Sequence, residues 1–217
     1  MARENYDKQL TELRNQMMLL CSMIEEVLQD TIHALVQQDV ERAEKIVSGD
    51  GKVDEQVKSI LQICYTLLLR QQPVASDLRK VSAAMKMITD MERIGDHGTD
   101  ISELTILMSG YSYPEEISII EEMSKVTTEM LIDAVDAFAW ENAAKAQNVI
   151  DKDDRVDELF LTAKESIAKT IKENGVDAMQ ELDLLMVAKY FERIGDHATN
   201  IAEWVRFSIN GELPADD

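Results

Sequence analysis

The sequence predicts an all-α protein that consists of two tandem, pseudo-repeated three-helix bundles. Residues that favour helices dominate the 217-residue chain, which contains only three Pro and eight Gly. Apolar residues recur every three to four positions over long segments, as they do in amphipathic helices. Residues 92–101 (ERIGDHGTDI) recur as residues 192–201 (ERIGDHATNI), with eight of ten positions identical. Such a repeat indicates that a unit of the chain was duplicated.

The first half begins with two predicted helices. Apolar spacing predicts a helix over residues 4–37, and Asp39 can cap a second helix that begins just after it. Gly49 and Gly51 interrupt this second helix at a cost of about 1 kcal/mol each relative to Ala. We expect that they are tolerated because another backbone segment approaches closely. Pro73 ends the helix because it lacks an amide hydrogen and restricts the residue before it.

A third predicted helix completes the first half. Ser76 or Asp77 can cap it, and its apolar stripe continues to about residue 109. The segment 110–114, Gly-Tyr-Ser-Tyr-Pro, is the strongest break in the chain because it combines a helix stop with a helix start. We therefore place the boundary between the halves there, and assign residues 1–110 to the first bundle and residues 115–217 to the second.

The second half repeats this order of helices. Predicted helices cover residues 115–139, 142–172 and 176–209, with a turn at 173–175. Asn142 takes the capping position that Asp39 has in the first half, at an offset of 103 residues. The repeated segment lies at an offset of 100, so one connection in the second half is three residues shorter. A length difference confined to a loop is what duplication of a three-helix bundle predicts.

Composition and charge exclude several classes of protein. The formal net charge of −20 would repel a phosphate backbone, so we expect no nucleic-acid partner. The sequence shows neither a signal segment at its start nor an apolar run long enough to span a membrane, and we expect a cytoplasmic protein. Cys21 and Cys64 form no CxxC pair and lie in apolar helical stretches. We expect both to be reduced, buried thiols.

Acidic residues form repeated stripes on the predicted helices, because a spacing of four places side chains on one face. The third helix of each half carries the longer stripe, which is Glu92, Asp96 and Asp100 in the first half and Glu192, Asp196 and Asn200 in the second. The second helix of each half carries the shorter stripe, which is Asp50 and Asp54 in the first half and Asp153 and Asp157 in the second. We expect antiparallel packing to bring the two stripes of each half together.

These stripes predict cation binding. Like charges four residues apart on a helix repel each other by about 0.2–0.5 kcal/mol, which a cation would offset. Carboxylates are hard oxygen ligands that suit magnesium, manganese, calcium or iron, and one helix alone cannot surround an ion. Asn200 replaces an acid in the second half, so we expect a weaker site there or fewer ions. Gly95 and Gly195 lie in mid-helix and are expected to allow close helix contact or to leave room around the acids.

The sequence leaves alternatives to a metal-binding regulator open. His97 and His197 each adjoin an acid, so we expect both to point off the stripes and to serve as hydrogen-bonding groups instead of metal ligands or phosphotransfer residues. No P-loop, dinucleotide or nucleophile motif occurs, and no histidine follows a Glu at the spacing of ferritin-type di-iron sites. We therefore expect no enzyme activity. The alternatives are a carboxylate-bridged metalloenzyme and a metal-free helical interaction scaffold.

Two motifs resemble a known protein family. Residues 72–79 (QPVASDLR) precede the first copy of the repeated segment, and the second copy continues through Ala202 and Glu203. Together they resemble the PhoU family of phosphate-transport accessory and regulatory proteins, and the resemblance extends over both halves. It implies a fold of two similar three-helix bundles in tandem. Some members carry multinuclear iron or zinc clusters on Glu/Asp-x-x-x-Asp motifs, which correspond here to Asp50 with Asp54, Glu92 with Asp96, Asp153 with Asp157, and Glu192 with Asp196.

The resemblance also implies a function. A member would work in the cytoplasm at the inner face of the membrane, where it contacts the phosphate ABC transporter and, where one exists, a phosphate-sensing histidine kinase. It would repress phosphate uptake and the phosphate-starvation response when phosphate is plentiful. We expect a non-enzymatic regulator, a homodimer that holds metal ions on its acidic stripes. The resemblance favours iron or zinc, with manganese or magnesium as alternatives.

Overall fold

The computed structural model describes residues 2–70, 75–110, 117–174 and 178–213. The helices in these ranges are α1 (Ala2–Gln37), α2 (Val40–Gly49), α3 (Gly51–Arg70), α4 (Ala75–Leu107), α5 (Ile117–Ala139), α6 (Ala143–Asn174) and α7 (Ala178–Asn210). These described ranges contain no β-strand, so the predicted all-α class is confirmed. None of the helices is both long and apolar enough to cross a membrane.

Each half is a three-helix bundle, as the sequence predicts. In the first half, α2 and α3 form one helix with a break at Asp50, and this broken helix packs with α1 and α4. Asp50 keeps helical dihedral angles (φ −49°, ψ −43°), so the break is local. In the second half, α5, α6 and α7 pack against one another, and α6 runs without a break.

The same turn connects the first two helices of each half. Asp39 Oδ1 and Asn142 Oδ1 each accept a hydrogen bond of 3.0 Å from the backbone nitrogen three residues later. The residue before each cap has a positive φ, which is 54° at Gln38 and 51° at Glu141. Both predicted caps are confirmed. The offset of 103 residues therefore matches the first two helices of one half to those of the other.

Two predicted helix ends differ from the structure. α4 begins at Ala75, so Ser76 and Asp77 lie within its first turn and do not precede it. α6 continues to Asn174, so the predicted turn at 173–175 is wrong for its first two residues. The reason is that a last helical turn leaves only carbonyl groups unpaired, so two further helical residues leave no additional amide without a partner.

Two predicted connections lie mostly outside the described residues. They are the break near Pro73 and the segment 111–114 that we assign to the boundary between the halves. Gly110, the last described residue before that segment, has a φ of 87°, which is typical of a glycine that follows a helix. The division into residues 1–110 and 115–217 stays a prediction.

The glycines in the first half differ in their surroundings. No described atom lies within 4 Å of the place where a Cβ would stand at Gly49 or Gly51, so the predicted close backbone approach at these residues is wrong. They border open space at the point where α2 ends and α3 begins. By contrast, a Cβ at Gly98 would stand 2.8 Å from Val27 Cγ1. Gly98 therefore lets α1 pack closely against α4.

One hydrophobic core runs through both halves. Its buried side chains include Met17 of α1, Met91 of α4 and Phe191 of α7. Contacts of α4 with α7 and of α1 with α5 join the two bundles. Cys21 and Cys64 are buried free thiols, as predicted, and burial raises the pKa of each to about 12. Both thiols are therefore packing residues.

Candidate metal centres

The acidic stripes of the first half lie together across α3 and α4. Burial raises the pKa of Glu92, and the charges of Asp54 and Asp96 raise it further. Burial likewise raises the pKa of Asp96, and the charge of Asp50 adds to this effect. Arg93 Nη1 donates a hydrogen bond of 3.2 Å to Asp96 Oδ2 and balances part of the charge. A neighbouring negative charge disfavours ionisation, so these shifts place the four carboxylates within each other's electric field.

Thr99 extends the first stripe towards Asp50. Thr99 Oγ1 donates a hydrogen bond of 2.9 Å to Asp50 Oδ1. A residue seven positions after Glu92 is rotated by only about 20° around the helix, whereas a residue eight positions after it is rotated by about 80°. Thr99 was not predicted from the sequence, although it lies seven residues after Glu92, a spacing that places two residues on nearly the same face of a helix.

The second half brings the corresponding acids together across α6 and α7. The pKa of Asp153 is raised to about 6 by burial and then by the charges of Asp196 and Asp157. Burial also raises the pKa of Asp196, and the charge of Glu192 contributes next. Here the cation of the same helix contacts the other acid of the pair, because Lys189 Nζ donates to both carboxylate oxygens of Glu192. Lys189 was not predicted from the sequence, although a lysine three residues before a glutamate on a helix can contact it.

Two glycines allow the helices to approach each other at the stripes. A Cβ at Gly95 would stand 3.3 Å from Val53 Cγ1 on α3. A Cβ at Gly195 would stand 3.2 Å from Val156 Cγ1 and 3.4 Å from Asp153 Oδ1 on α6. Close helix contact at these glycines is confirmed, and it occurs beside the acids in both halves.

Asp100 and Asn200 each have a polar partner on α4. Asp100 Oδ2 is 3.2 Å from His97 Nδ1, and Asn200 Nδ2 donates a hydrogen bond of 3.4 Å to Asp90 Oδ1. A residue eight positions along a helix is rotated by about 80° beyond two full turns, so these residues lie towards the edge of the face of Glu92 and Glu192. Their place in the acidic sites stays a prediction.

The two histidines of the repeat lie at the seam between the bundles. His97 is 8% exposed, and its ring centroid lies 5.6 Å from that of His197 and 5.3 Å from that of Tyr190. His197 Nδ1 lies 2.9 Å from Asp90 Oδ1. Positions 90 and 190 are equivalent in the repeat, so each histidine meets the same position of the opposite half. His197 thus contacts an acid outside the stripes, whereas His97 contacts Asp100 of the first stripe. Spacing within one helix does not identify Asp90 or Tyr190, because their contacts form between helices.

The acids of each half suit a hard cation by their chemistry. Carboxylate oxygens are the ligands that magnesium, manganese and iron accept, and partial burial strengthens their attraction for a cation. With the side chains as they stand, no group of three His, Cys, Asp or Glu residues in the described ranges converges on one ion position. Binding of a metal ion would therefore require other rotamers of these side chains. Their helices already place them close together.

Comparisons with known proteins place the chain in a family. It matches the PhoU domain over residues 17–105 and 120–205, with one match in each half. It is 33% identical over 213 residues to the phosphate-specific transport system accessory protein PhoU homolog of Clostridium acetobutylicum, covering 98% of this chain and 97% of that protein. It is 29% identical over 207 residues to the phosphate-specific transport system accessory protein PhoU of Escherichia coli K12, covering 95% and 86% respectively.

Solved structures share the fold. The crystal structure of PhoU from Pseudomonas aeruginosa has a TM-score of 0.90 and 29% sequence identity, and the comparison covers 95% of this chain and 100% of that one. The phosphate transport system regulatory protein PhoU from Streptococcus pneumoniae also has a TM-score of 0.90, with 28% identity and coverage of 97% and 99%. Because the domain matches both halves and these relatives span nearly the whole chain, the chain belongs to the PhoU domain family.

Proposed function

We propose that this protein is a non-enzymatic accessory protein of phosphate transport that represses phosphate uptake and the phosphate-starvation response. Family membership over both halves supports this role, since the relatives are named as accessory or regulatory proteins of phosphate transport. It would act as a homodimer in the cytoplasm, at the inner face of the membrane. Its partners there would be a phosphate ABC transporter and a phosphate-sensing histidine kinase.

Regulation of such partners requires differential binding. The protein shifts a transporter or kinase towards one state only if it binds that state more tightly than the other. A coupling free energy of about 1–3 kcal/mol, typical of allosteric regulation, changes the balance between two states by roughly 5–150-fold. We propose that it favours a closed transporter and the phosphatase-competent state of the kinase.

The metal part of the proposal is supported by one observation. In each half, burial and the negative charges of acids on the facing helix raise the pKa of a carboxyl group, as at Glu92, Asp96 and Asp153. A cation between them stabilises their ionised forms and offsets this repulsion. When bound, the metal would neutralise the acidic face and fix its shape for docking. The proposed ligands are Asp50, Asp54, Glu92, Asp96 and Asp100 in the first half, and Asp153, Asp157, Glu192, Asp196 and Asn200 in the second.

The two halves differ in the basic side chains that would compete with a metal ion for the acids. Glu192 is already bound by Lys189, whose ammonium group a metal ion must displace. Glu92 has Arg93 and Lys58 nearby, but their charges only partly offset the effects that raise its pKa. We therefore expect the first half to retain metal more strongly. Iron or zinc follows from the family resemblance, whereas manganese and magnesium suit the same oxygen ligands.

Metal content tests this proposal directly. Protein purified without an affinity tag or chelator is measured by mass spectrometry beside Glu92→Ala/Asp96→Ala and Glu192→Ala/Asp196→Ala. We expect metal in the wild type and a loss in each double variant, with the larger loss in the first. The matched control is Asp154→Ala/Glu158→Ala, which removes two exposed acids at the same spacing on α6 and should keep the metal. Absence of metal, with no rise in melting temperature on adding iron, zinc, manganese or magnesium, would leave a metal-free scaffold.

A second experiment tests the link between metal and regulation. Asp96→Asn removes one ligand charge while preserving shape, and it should lower metal content and relieve repression of phosphate-starvation genes in the host. If repression fails while metal content is unchanged, Asp96 acts in partner contact and the metal is not the intermediate step. Turnover of phosphate compounds by the metal-loaded protein would favour a metalloenzyme instead.

A further inference from the structure

A cavity of about 590 Å³ lies in the first half between α1, α2, the start of α3 and α4. This volume is within the range of roughly 300–1,000 Å³ that small-molecule sites occupy. Two acids of α1, Glu26 and Asp30, line one wall, and Gly49 lies at the end of α2. The lining also includes the apolar side chains of Met23, Val27 and Ile46.

The second half shows what fills the equivalent space. At the offset of 103, Glu26 corresponds to Glu129, Asp30 to Asp133, and Gly49 to Lys152. Lys152 Nζ donates a hydrogen bond of 2.9 Å to Asp133 Oδ2 and lies 3.9 Å from Glu129 Oε2. The long alkyl stem and ammonium group of Lys152 thus cover this acidic pair in the second half. Glycine provides no such side chain in the first half.

The ion pairs of the described residues give Asp30 one cation fewer than its counterpart Asp133. Asp133 has two ammonium partners, since Lys145 Nζ also lies 3.1 Å from Asp133 Oδ1. Among the described residues Asp30 pairs with Arg42 alone, the counterpart of Lys145, whose Nη1 donates to Asp30 Oδ1 at 3.0 Å. The side chain of Asp30 is accordingly 46% exposed, against 30% for Asp133.

Glu26 and Gly49 also differ in their surroundings from the corresponding residues of the second half. Glu26 makes no ion pair within the described part of the chain, whereas its counterpart Glu129 lies beside an ammonium group. No described atom comes within 4 Å of a Cβ built on Gly49, so the place from which a lysine stem would start is open. The first half therefore keeps the acidic wall of an ammonium site and lacks its ammonium.

We propose that this cavity binds one alkylammonium group, with the ammonium between Glu26 and Asp30 and the alkyl chain over Gly49. The internal repeat supplies the geometry, because Lys152 already makes the same kind of contact with the corresponding acids. A carboxylate pair holds an ammonium through charge-assisted hydrogen bonds, and the three apolar lining residues suit the methylene chain. The group comes either from a free alkylamine or from a lysine side chain of a partner protein.

Lys52 is the competitor within the chain. It lines the cavity and makes no ion pair within the described ranges. Its counterpart Arg155 does not turn towards the equivalent acids, since its Nη2 donates at 2.6 Å to Glu122 on α5. Lys52 is exposed at the start of α3, and Leu19 stands where the partner of Arg155 stands in the second half. The Lys52→Ala variant therefore tests whether Lys52 occupies the acids.

Titration with n-butylammonium, the lysine side chain without its backbone, tests the proposal. Amide chemical shifts of the full metal-free chain are followed by NMR at low ionic strength, where surface charges are least screened. We expect saturable shifts around Gly49 and Val27 in the wild type. Glu26→Gln should weaken binding about tenfold, whereas Glu44→Gln, an exposed single-charge control on α2, should leave it unchanged. Gly49→Lys should abolish binding by filling the cavity, and Gly49→Ala should retain it.

The second half offers a reciprocal test by chemical rescue. In the Gly49→Lys background, Lys152→Ala opens the equivalent space beside Glu129 and Asp133. We expect this double variant to melt at a lower temperature than Gly49→Lys alone, and n-butylammonium to restore part of the loss. Tetramethylammonium, which carries the same charge without N–H donors, should restore none of it.

The outcomes separate the proposal from its rivals. No saturable binding, equal binding of tetramethylammonium, or binding unaffected by Glu26→Gln would each overturn it. Binding that appears only after Lys52→Ala would also overturn it, because Lys52 would then be the natural occupant. A parallel titration with Nα-acetyl-lysine N-methylamide distinguishes the sources. Binding of both probes supports a partner lysine, and binding of n-butylammonium alone supports a free amine.

Discussion

Replacement of Asp153 tests the electrostatics of the acidic stripes. Burial, followed by the charges of Asp196 and Asp157, raises its pKa from 3.8 to about 6. A raised carboxyl pKa means that ionisation is less favourable in the folded than in the unfolded chain. The stability that protonated Asp153 contributes is therefore fully present at a pH below its pKa in the unfolded chain. It is lost as the pH rises through its pKa in the folded chain. At neutral pH the ionised Asp153 destabilises the metal-free fold.

The magnitude follows from the two pKa values. A rise from 3.8 to about 6 corresponds to at most about 3 kcal/mol. Asp153 is only half-buried, and solvent screening reduces the net effect to about 1 kcal/mol. We therefore expect Asp153→Asn to raise the free energy of unfolding by about 1 kcal/mol at pH 7.5 in the presence of a chelator. The gain should largely disappear near pH 4, where the folded wild type carries a protonated Asp153.

Urea unfolding followed by circular dichroism measures this difference. Any lost acid relieves some repulsion in a chain with a net charge of −20, so the comparison requires a variant of equal charge. Asp151→Asn is suitable because Asp151 is exposed on the same helix. Equal gains in the two variants, or a gain that does not shrink towards pH 4, would refute the reasoning. With manganese added, the proposed site also predicts that the advantage of Asp153→Asn is lost.

Three further predictions concern packing and capping, and all are measured by urea unfolding. Gly98→Ala places a Cβ 2.8 Å from Val27 Cγ1 and should lower the free energy of unfolding by about 1–3 kcal/mol, whereas Gly51→Ala, with no described atom within 4 Å, should raise it by about 0.5–1 kcal/mol. The opposite order would contradict the packing. Asn142→Ala removes the cap of α6 and should cost about 1 kcal/mol, and unchanged stability would argue against the cap. Phe191→Ala empties a fully buried site in α7 and should cost about 3–5 kcal/mol, so a loss below 1 kcal/mol would mean that the site collapses without a cavity.

The helical class, the two caps and the four principal acidic pairs could all be predicted from the sequence. These features are local, since helix propensity, capping and face sharing depend on residues within a few positions of each other. Asp39 and Asn142 illustrate this, because each makes its capping bond to a residue three positions later. The duplication also indicates that the same two stripes occur in each half, at positions far apart in the chain.

Contacts at the end of a stripe are harder to predict, because small rotations accumulate along a helix. The spacing of four predicts that Asp100 continues the stripe of Glu92, although two such steps add about 80° of rotation. The structure instead puts Thr99 beside Asp50 and puts Asp100 beside His97.

Only the tertiary structure decided which faces meet. The seam that joins His97 to Tyr190 and His197 to Asp90 links residues about a hundred positions apart, and no periodicity within one helix specifies such contacts. The cavity beside Gly49 likewise depends on packing between helices, and Lys152 covers the equivalent acids in the second half. The sequence by itself determined the helices, their caps and the acids on them. The packing of helices distant in the chain determined which of those acids lie together, since that depends on the fit of side chains across their interfaces.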